Sequence, residues 1–282
     1  MKWNKILVLV AISIFACSCN NDDDDGGVNE VEQRLLSEVA LENDAEIVEY
    51  LKTHFYNYEE FANPPVDFDY KIQIGEITGD NANKTPLFDQ VDFKTVKVSS
   101  SRFRVLEDEG DVDHKIYFLT VREGGDNSKE TATAGDSAYV RYQGFKLSGE
   151  VFDESNYNIP FWFDLSNIQA TGARGFTEGL TFLKPSTNVI SNEDGTFTAE
   201  GFGIGMVIMP SGLGYFDTPP SGSSIGAYSP LIFKFDLITT EEQDHDNDGV
   251  ASIDEDSNGD GYLLNDDADE DGTPDYLDAD TN

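Results

Sequence analysis

An α+β fold, in which a mostly antiparallel sheet wraps around one short helix, is the class this sequence predicts. Three observations carry it. From Tyr70 to Leu237 the chain runs as short segments rich in Val, Ile, Tyr and Phe, separated by clusters of Gly, Asn, Asp and Pro, the texture of strands joined by turns. One convincing short helical segment, GFTEGLTFL, interrupts them and places Phe176, Leu180 and Leu183 on one face. A content of 38% hydrophobic and 12% aromatic residues in 282 supplies a real core for one domain of moderate size with appendages. A sheet with its helix segregated to one side is the α+β arrangement.

Taken in chain order, residues 1–19 read MKWNKILVLVAISIFACSC, with Lys2 and Lys5 ahead of an apolar run from Ile6 to Ala16. That order is the order of a secretory signal, and the run is shorter than the ~20 apolar residues a bilayer span needs. The segment resembles a bacterial lipoprotein signal. The resemblance implies a lipid-modified cysteine at the start of the mature chain, attachment to the outer membrane by that anchor alone, and a periplasmic or cell-surface location. Cys19 is the expected anchor, and Cys17 stays open because Ala16 stands where the family usually has leucine. With 2 cysteines in all, both in this segment, the mature chain can hold no disulfide framework.

Residues 20–33 contain NNDDDDGGVNE, too polar to bury anything and suited to a solvated tether. The run resembles the acidic signals that send some Gram-negative lipoproteins to the cell surface, and it reads equally well as a plain spacer. Residues 34–69 are expected to form a helical extension. In ENDAEIVEYLKTHFYNYEEFA, Asn43 or Asp44 is a plausible N-cap, and Ile47, Leu51 and Phe55 recur at four-residue spacing. Such a helix docks on the main domain or makes a dimer contact. Residues 70–134 read as a β-rich extension leading into the main domain, with KIQIGEI, FKTVKVS and KIYFLTV as strands. Residues 135–240 add AYVRYQGFKL, FWFDL, IGMVIM and LIFKFDLI around the helix, and residues 241–282 are an acidic tail.

Charge narrows the function. The 55 acidic and 18 basic residues give a formal net charge of −37, which repels nucleic acid and anionic membrane surfaces. No nucleic-acid partner is expected. Metal cations, basic partners or simple solubility suit such acidity.

Four blocks carry a more specific resemblance. GDSAYVRYQGFKLSGEVFDES is similar to the segment of FKBP-type peptidyl-prolyl isomerases that runs Val-x-Tyr-x-Gly, a turn, then Phe-Asp. GARGFTEGL resembles their Gly-Trp-Glu helix start, VIMPSGLGYFD the strand, Ile-x-Pro and tyrosine that follow, and SPLIFKFDLI their closing strand. Together they span roughly Gly135 to Ile238 in the family's order. The resemblance implies an FKBP-like fold and an isomerase that needs no cofactor for catalysis, acting on proline-containing polypeptides. It further implies that Tyr142, Phe152, Phe161 and Phe233 wall the proline pocket, Phe176 floors it and Asp153 sits at its rim. On the same basis Tyr215 donates a hydrogen bond to a substrate carbonyl, the Ala173 N–H holds another, and Ile225 covers one side. Judged singly, each aromatic reads as ordinary core; only the ordered set reads as a site.

Several positions depart from the family's pattern. Phe176 replaces a tryptophan and so lacks its indole donor. Ala173 replaces a larger aliphatic residue, and DESNYNIPF lacks the arginine that often orients the aspartate. NVISNEDGTFTAEGFG reads as an inserted hairpin with NEDG as its turn, and FDTPPSGSSIGAY as the flap over the pocket.

After Thr240 no lysine or arginine remains and carboxylates recur in register. Asp244, Asp246, Asp248, Gly249 and, at the twelfth position, Glu255 satisfy the calcium-loop pattern, in which alternate side chains point inward, glycine permits the sharp turn and the last carboxylate can give two oxygens. Asp256, Asn258, Asp260, Gly261 and Asp267 repeat it. Asp267, Asp269, Asp271, Gly272 and Asp278 repeat it again. The loops abut with no room for EF-hand helices, so the tail resembles thrombospondin type 3 repeats, which implies structural Ca²⁺ rather than catalytic metal. Two main readings of the chain follow: an envelope prolyl isomerase acting on exported proteins, or a binding module that keeps the cradle without efficient turnover. A third makes the calcium tail an adhesive element carried by the domain.

Overall fold

The computed structural model describes residues 31–126, 130–155, 159–193 and 196–281. The signal segment, Cys19 and nearly all of the acidic tether lie outside the described residues. The chain begins with α1 (Leu36–Thr53), β1 (His54–Tyr56), α2 (Tyr58–Ala62) and β2 (Ile74–Glu76), and β1 pairs antiparallel with β2. The strands that follow are β3 (Asp92–Ser99), β4 (Asp111–Arg122), β5 (Ser137–Lys146), β6 (Val151–Glu154), β7 (Phe161–Asp164), β8 (Asn188–Ser191), β9 (Phe197–Glu200), β10 (Gly203–Met209) and β11 (Leu231–Glu241). Two short helices, α3 (Leu165–Ala170) and α4 (Arg174–Leu180), fall between β7 and β8.

Seven strands make one antiparallel sheet in the order β3-β4-β10-β11-β5-β6, with β7 also on β5. The strands read as an extension, β3 and β4, therefore belong to the same sheet as those of the main domain. β8 and β9 form the separate hairpin expected of the insertion. The alternation of side chains along a strand explains the layering. On β10, Val207 and Met209 face α4, while Met206 and Ile208 face the opposite side with Ile47, Tyr50 and Leu51 of α1. Both faces of this central strand are covered, which is why it reads as an unbroken apolar run. α4 comes close because Gly179 faces the sheet: a Cβ there would lie 2.8 Å from Val207.

The helical extension differs from expectation at both ends. α1 starts at Leu36, with Leu35 in the capping position, and Asn43 lies buried in its middle rather than capping it. Burial of Leu36, Val39 and Ala40 extends the helix beyond the point where local capping chemistry would begin it. It ends at Thr53, and Phe55 leaves the helical stripe to pair with Gly75 across β1 and β2.

α3 is set by its own cap, since Asp164 Oδ1 accepts from the Asn167 N–H at 3.1 Å. The tail is irregular except for single 3₁₀ turns, and it builds a small core from Leu263, Tyr276 and Ala134.

Candidate active site

Strand register brings several of the expected site residues together. On β5, Tyr142 pairs with Phe235 and Gly144 with Phe233 of β11, while Gly144 also pairs with Asp153 of β6. Gly144 is required where it stands. A Cβ there would lie 2.6 Å from the Phe152 ring and 2.7 Å from the Phe233 ring, which meet at right angles with centroids 5.4 Å apart.

From the other side α4 inserts Phe176. Its ring centroid lies 5.7 Å from that of Tyr142, 5.2 Å from Phe233 and 4.9 Å from Phe235, all near edge-to-face, the arrangement the ring quadrupole favours. Phe176 is 4% exposed and Phe233 3%. These rings share one core cluster, with Tyr142, Phe152 and Tyr215 at its margin.

At the rim the Tyr142 hydroxyl donates to Asp153 Oδ2 at 2.7 Å. Tyr142 thus supplies the donor to this carboxylate in a chain whose DESNYNIPF segment has no arginine. Burial, and then the bond to Asp153, push the Tyr142 phenol up, while burial and the Asp153 charge push Tyr215 up. Both hydroxyls keep their protons at neutral pH and remain donors. A Cβ at Gly172, in the α3–α4 link, would lie 3.6 Å from the Tyr215 ring, so this link and Tyr215 are neighbours. Ala173 is the N-cap residue of α4 and is buried with Ile225 in the same core.

Phe161 is the exception. It lies at the start of β7, 47% exposed, and the ring that meets the cluster is Phe163, at 5.4 Å from Tyr142 and 5.3 Å from Phe176. Residues i and i+2 of a strand share a face, so Phe163 points to the same side as Phe161, and burial places Phe163, not Phe161, against the cluster.

Across β5 from the pocket, Lys71, Arg141, Lys234 and Asp236 line a small cavity of about 30 Å³. Arg141 Nη2 lies 3.1 Å from Asp236 Oδ2. Burial outweighs that attraction and pushes the Asp236 carboxyl up to about 6.

The tail repeats one local geometry three times. Gly249, Gly261 and Gly272 take φ of +100°, +75° and +94°, and each donates its N–H to the first aspartate of its loop, Asp244, Asp256 and Asp267, at 3.1, 2.8 and 2.9 Å. Asp244, Asp246 and Asp248 bring carboxylate oxygens within 4.8 Å of one another, as do Asp267, Asp269 and Asp271. Glu255 is 6% exposed. Both its oxygens, with Oδ2 of Asp246 and of Asp248, are buried and without a hydrogen-bond partner among the described residues. Burial first, then the charges of Asp246, Asp248 and Asp244, push Glu255 up to about 7.

The second and third loops differ from the sequence pattern at their ends. Asp266, not Asp267, turns its buried carboxylate toward the second loop, where Oδ1 accepts from Ser257 Oγ and from the Asn258 side chain; its Oδ2 has no hydrogen-bond partner among the described residues. The Asp256 and Asp260 charges help to push Asp266 up, after burial. Asp267 serves the third loop through its bond from Gly272, and Asp278 accepts from the Asp280 N–H and the Thr281 hydroxyl. Buried Asp275, also absent from the pattern, accepts from the Ala268 N–H.

No protein-family model matches the chain, and no curated protein sequence matches it. Among solved structures it is similar to a peptidyl-prolyl cis-trans isomerase from Pseudomonas syringae, at 21% identity and a TM-score of 0.33, over 45% of this chain and 76% of that one. It is also similar to FkpA from Escherichia coli, at 20% identity and a TM-score of 0.37, over 72% of this chain and 62% of FkpA. The three FKBP domains of wheat FKBP73 match at 13% identity and a TM-score of 0.33, over 44% of each chain. Similarity at this level carries neither an activity nor a partner over to this chain.

The tail is held against α3, its Asp164 cap and the start of α4. Gln169 Nε2, on α3, donates to the Gly261 carbonyl at 2.6 Å, and His245 Nε2 lies 3.3 Å from Asp164 Oδ2. The guanidinium groups of Arg102 and Arg174 lie 4.8 and 4.4 Å from the Tyr262 ring centroid. Sequence spacing gave no sign of these contacts, because they depend on which elements the fold makes adjacent.

Proposed function

We propose that the chain is an FKBP-type peptidyl-prolyl isomerase, with Phe176 as the pocket floor and Tyr142, Phe152, Phe163 and Phe233 as its walls. One observation supports this above the rest: these rings converge on one side of the sheet, with the Tyr142–Asp153 hydrogen bond at the rim. Rotation about X-Pro must break amide resonance against a barrier of about 18–20 kcal/mol. No nucleophile is required. The half-rotated imide has lost conjugation, so a dry aromatic site that fits its shape favours it over either planar isomer. Tyr215 and the Ala173 N–H would hold substrate carbonyls at the rim, and Ile225 would close the flap side. The substrates are proline-containing segments of exported proteins, and the location is the cell envelope, by the lipid anchor expected at Cys19.

The deciding measurement is NMR exchange on an X-Pro peptide with the soluble chain. Catalysed exchange that falls in Phe233→Ala and Tyr142→Phe is the expected result. Peptide binding with exchange no faster than in buffer would overturn the isomerase in favour of the binding module.

For the tail the proposal is Ca²⁺ held by Asp244, Asp246, Asp248 and Glu255 in the first loop. Asp256, Asn258 and Asp260 with Asp266 would hold it in the second, and Asp267, Asp269 and Asp271 in the third. The residues fit the ion: all offer hard oxygens, and the buried, unpartnered oxygens of Glu255 need a positive charge to offset their desolvation. Bound calcium would neutralise the loops and hold them in shape. The chemistry at the pocket uses none of these residues.

A further inference from the structure

We infer that Asn43, in the middle of α1, is a positioning residue for the pocket, because its carboxamide ties together the two ends of the loop that carries Tyr215 and Ile225. Oδ1 accepts from the Ser211 N–H at 2.8 Å, just ahead of Tyr215. Nδ2 donates to the Tyr228 carbonyl at 3.0 Å, just after Ile225. These partners lie 168 and 185 residues away along the chain, so the bonds are tertiary and specific. Asn43 is 2% exposed.

The ends that Asn43 holds are strained. Phe216 and Tyr228 have φ of +48° and +61°, a left-handed region that L-residues rarely adopt. They are bonded to each other, from the Tyr228 N–H to the Phe216 carbonyl at 2.6 Å, and Phe216 N–H donates to the Ser211 carbonyl at 2.9 Å. Their rings meet edge-to-face at 4.9 Å. Left-handed backbone persists at bulky residues only where the surroundings over-determine it. A side chain that accepts at one end of the loop and donates at the other is such a constraint. Aspartate can accept but not donate, alanine can do neither, and glutamine is one methylene too long for a fully buried site.

The inference rests on the proposed function for what Tyr215 and Ile225 do, so its test has an arm free of that reading. Hydrogen exchange on the full soluble chain, without substrate, compares the wild type with Asn43→Asp and Asn43→Ala. Both variants are expected to speed exchange of the Phe216 and Tyr228 amides at least tenfold while α4 and β10 are unchanged. Exchange that rises equally across the domain, or not at all in this loop, would overturn the role. Should neither variant fold, the wild type decides: the Ser211 N–H and the Asn43 carboxamide protons are expected to be strongly protected, and solvent-like exchange of either would overturn it. In the isomerase assay Asn43→Asp is expected to raise KM several-fold and leave kcat within about twofold, whereas general destabilisation would lower the active fraction and with it kcat. A wild type without isomerase activity would count against the proposed function and leave the exchange result standing.

Discussion

The Tyr142 hydroxyl donates to Asp153 Oδ2 at 2.7 Å, and this bond joins the two strands that frame the pocket rim. The partners stand on the two arms of one hairpin, Tyr142 on β5 against the aromatic cluster and Asp153 on β6 facing solvent. The bond fixes where a negative charge sits relative to the rings.

Tyr142→Phe is predicted to lower kcat/KM for an X-Pro peptide by roughly 10-fold, the effect of losing about 1.4 kcal/mol from one charge-assisted bond. The ring stays, so the melting temperature should change little. An unchanged kcat/KM would remove Asp153 orientation from the mechanism.

Phe176→Trp restores the residue found in the resembled family, and here it is predicted to destabilise the chain. Four rings already surround this position, at 4.9 to 5.7 Å. Adding an indole should cost about 1–3 kcal/mol by overpacking. Urea unfolding measures this, and a variant as stable as the wild type would mean that the floor has spare volume.

Calcium is predicted to raise the melting temperature and to protect the tail from proteinase K, with EDTA reversing both. At 100 times Kd the gain is about 2.7 kcal/mol for one site. Glu255→Gln should abolish the component from the first loop, because the carboxylate that closes it is gone. Equal protection by sodium at matched ionic strength would show screening instead of coordination.

Asp236 predicts a pH dependence. Its carboxyl is raised from 3.8 to about 6. Between those values the folded chain keeps a proton that the unfolded chain has released, so this group's contribution falls as pH rises through the window, by at most roughly 3 kcal/mol. Above pH 6 it levels off. Asp236→Asn should flatten the slope of unfolding free energy against pH in this window relative to the wild type. The readout is the slope, and an Asp236→Asn variant as steep as the wild type would remove Asp236 as its source.

Much of the sheet was legible because its strands carry their own signals. FKTVKVS, KIYFLTV, AYVRYQGFKL, IGMVIM and LIFKFDLI all lie in strands of the main sheet, bounded by turn residues as strand chemistry requires. KIQIGEI shrank to β2, which pairs with the short strand β1 and not with the main sheet. α3 was missed since six residues give no periodicity to read, and it is held by the Asp164 cap and the sheet beneath it.

In the site, residue order located Tyr142, Phe152, Phe176 and Phe233 on one face, since strand alternation transmits order into facing. It put Phe161 in the wall where Phe163 stands, and Asp267 at the end of the second loop where Asp266 turns in. Each choice depends on where a neighbouring element covers the chain. The link from Asn43 to the pocket loop was invisible for the same reason, because no local pattern ties α1 to residues so far away.

The strand order carries one more consequence. β11, the last strand among the described residues, lies between β10 and β5 at the centre of the sheet. Until Leu231–Glu241 has left the ribosome, both of those strands present open edges, so the native hydrogen-bond ladder cannot close on a partial chain. Such long-range closure makes for slow folding. A polypeptide of this topology gains its sheet in one step, when Leu231–Glu241 slots between two waiting strands.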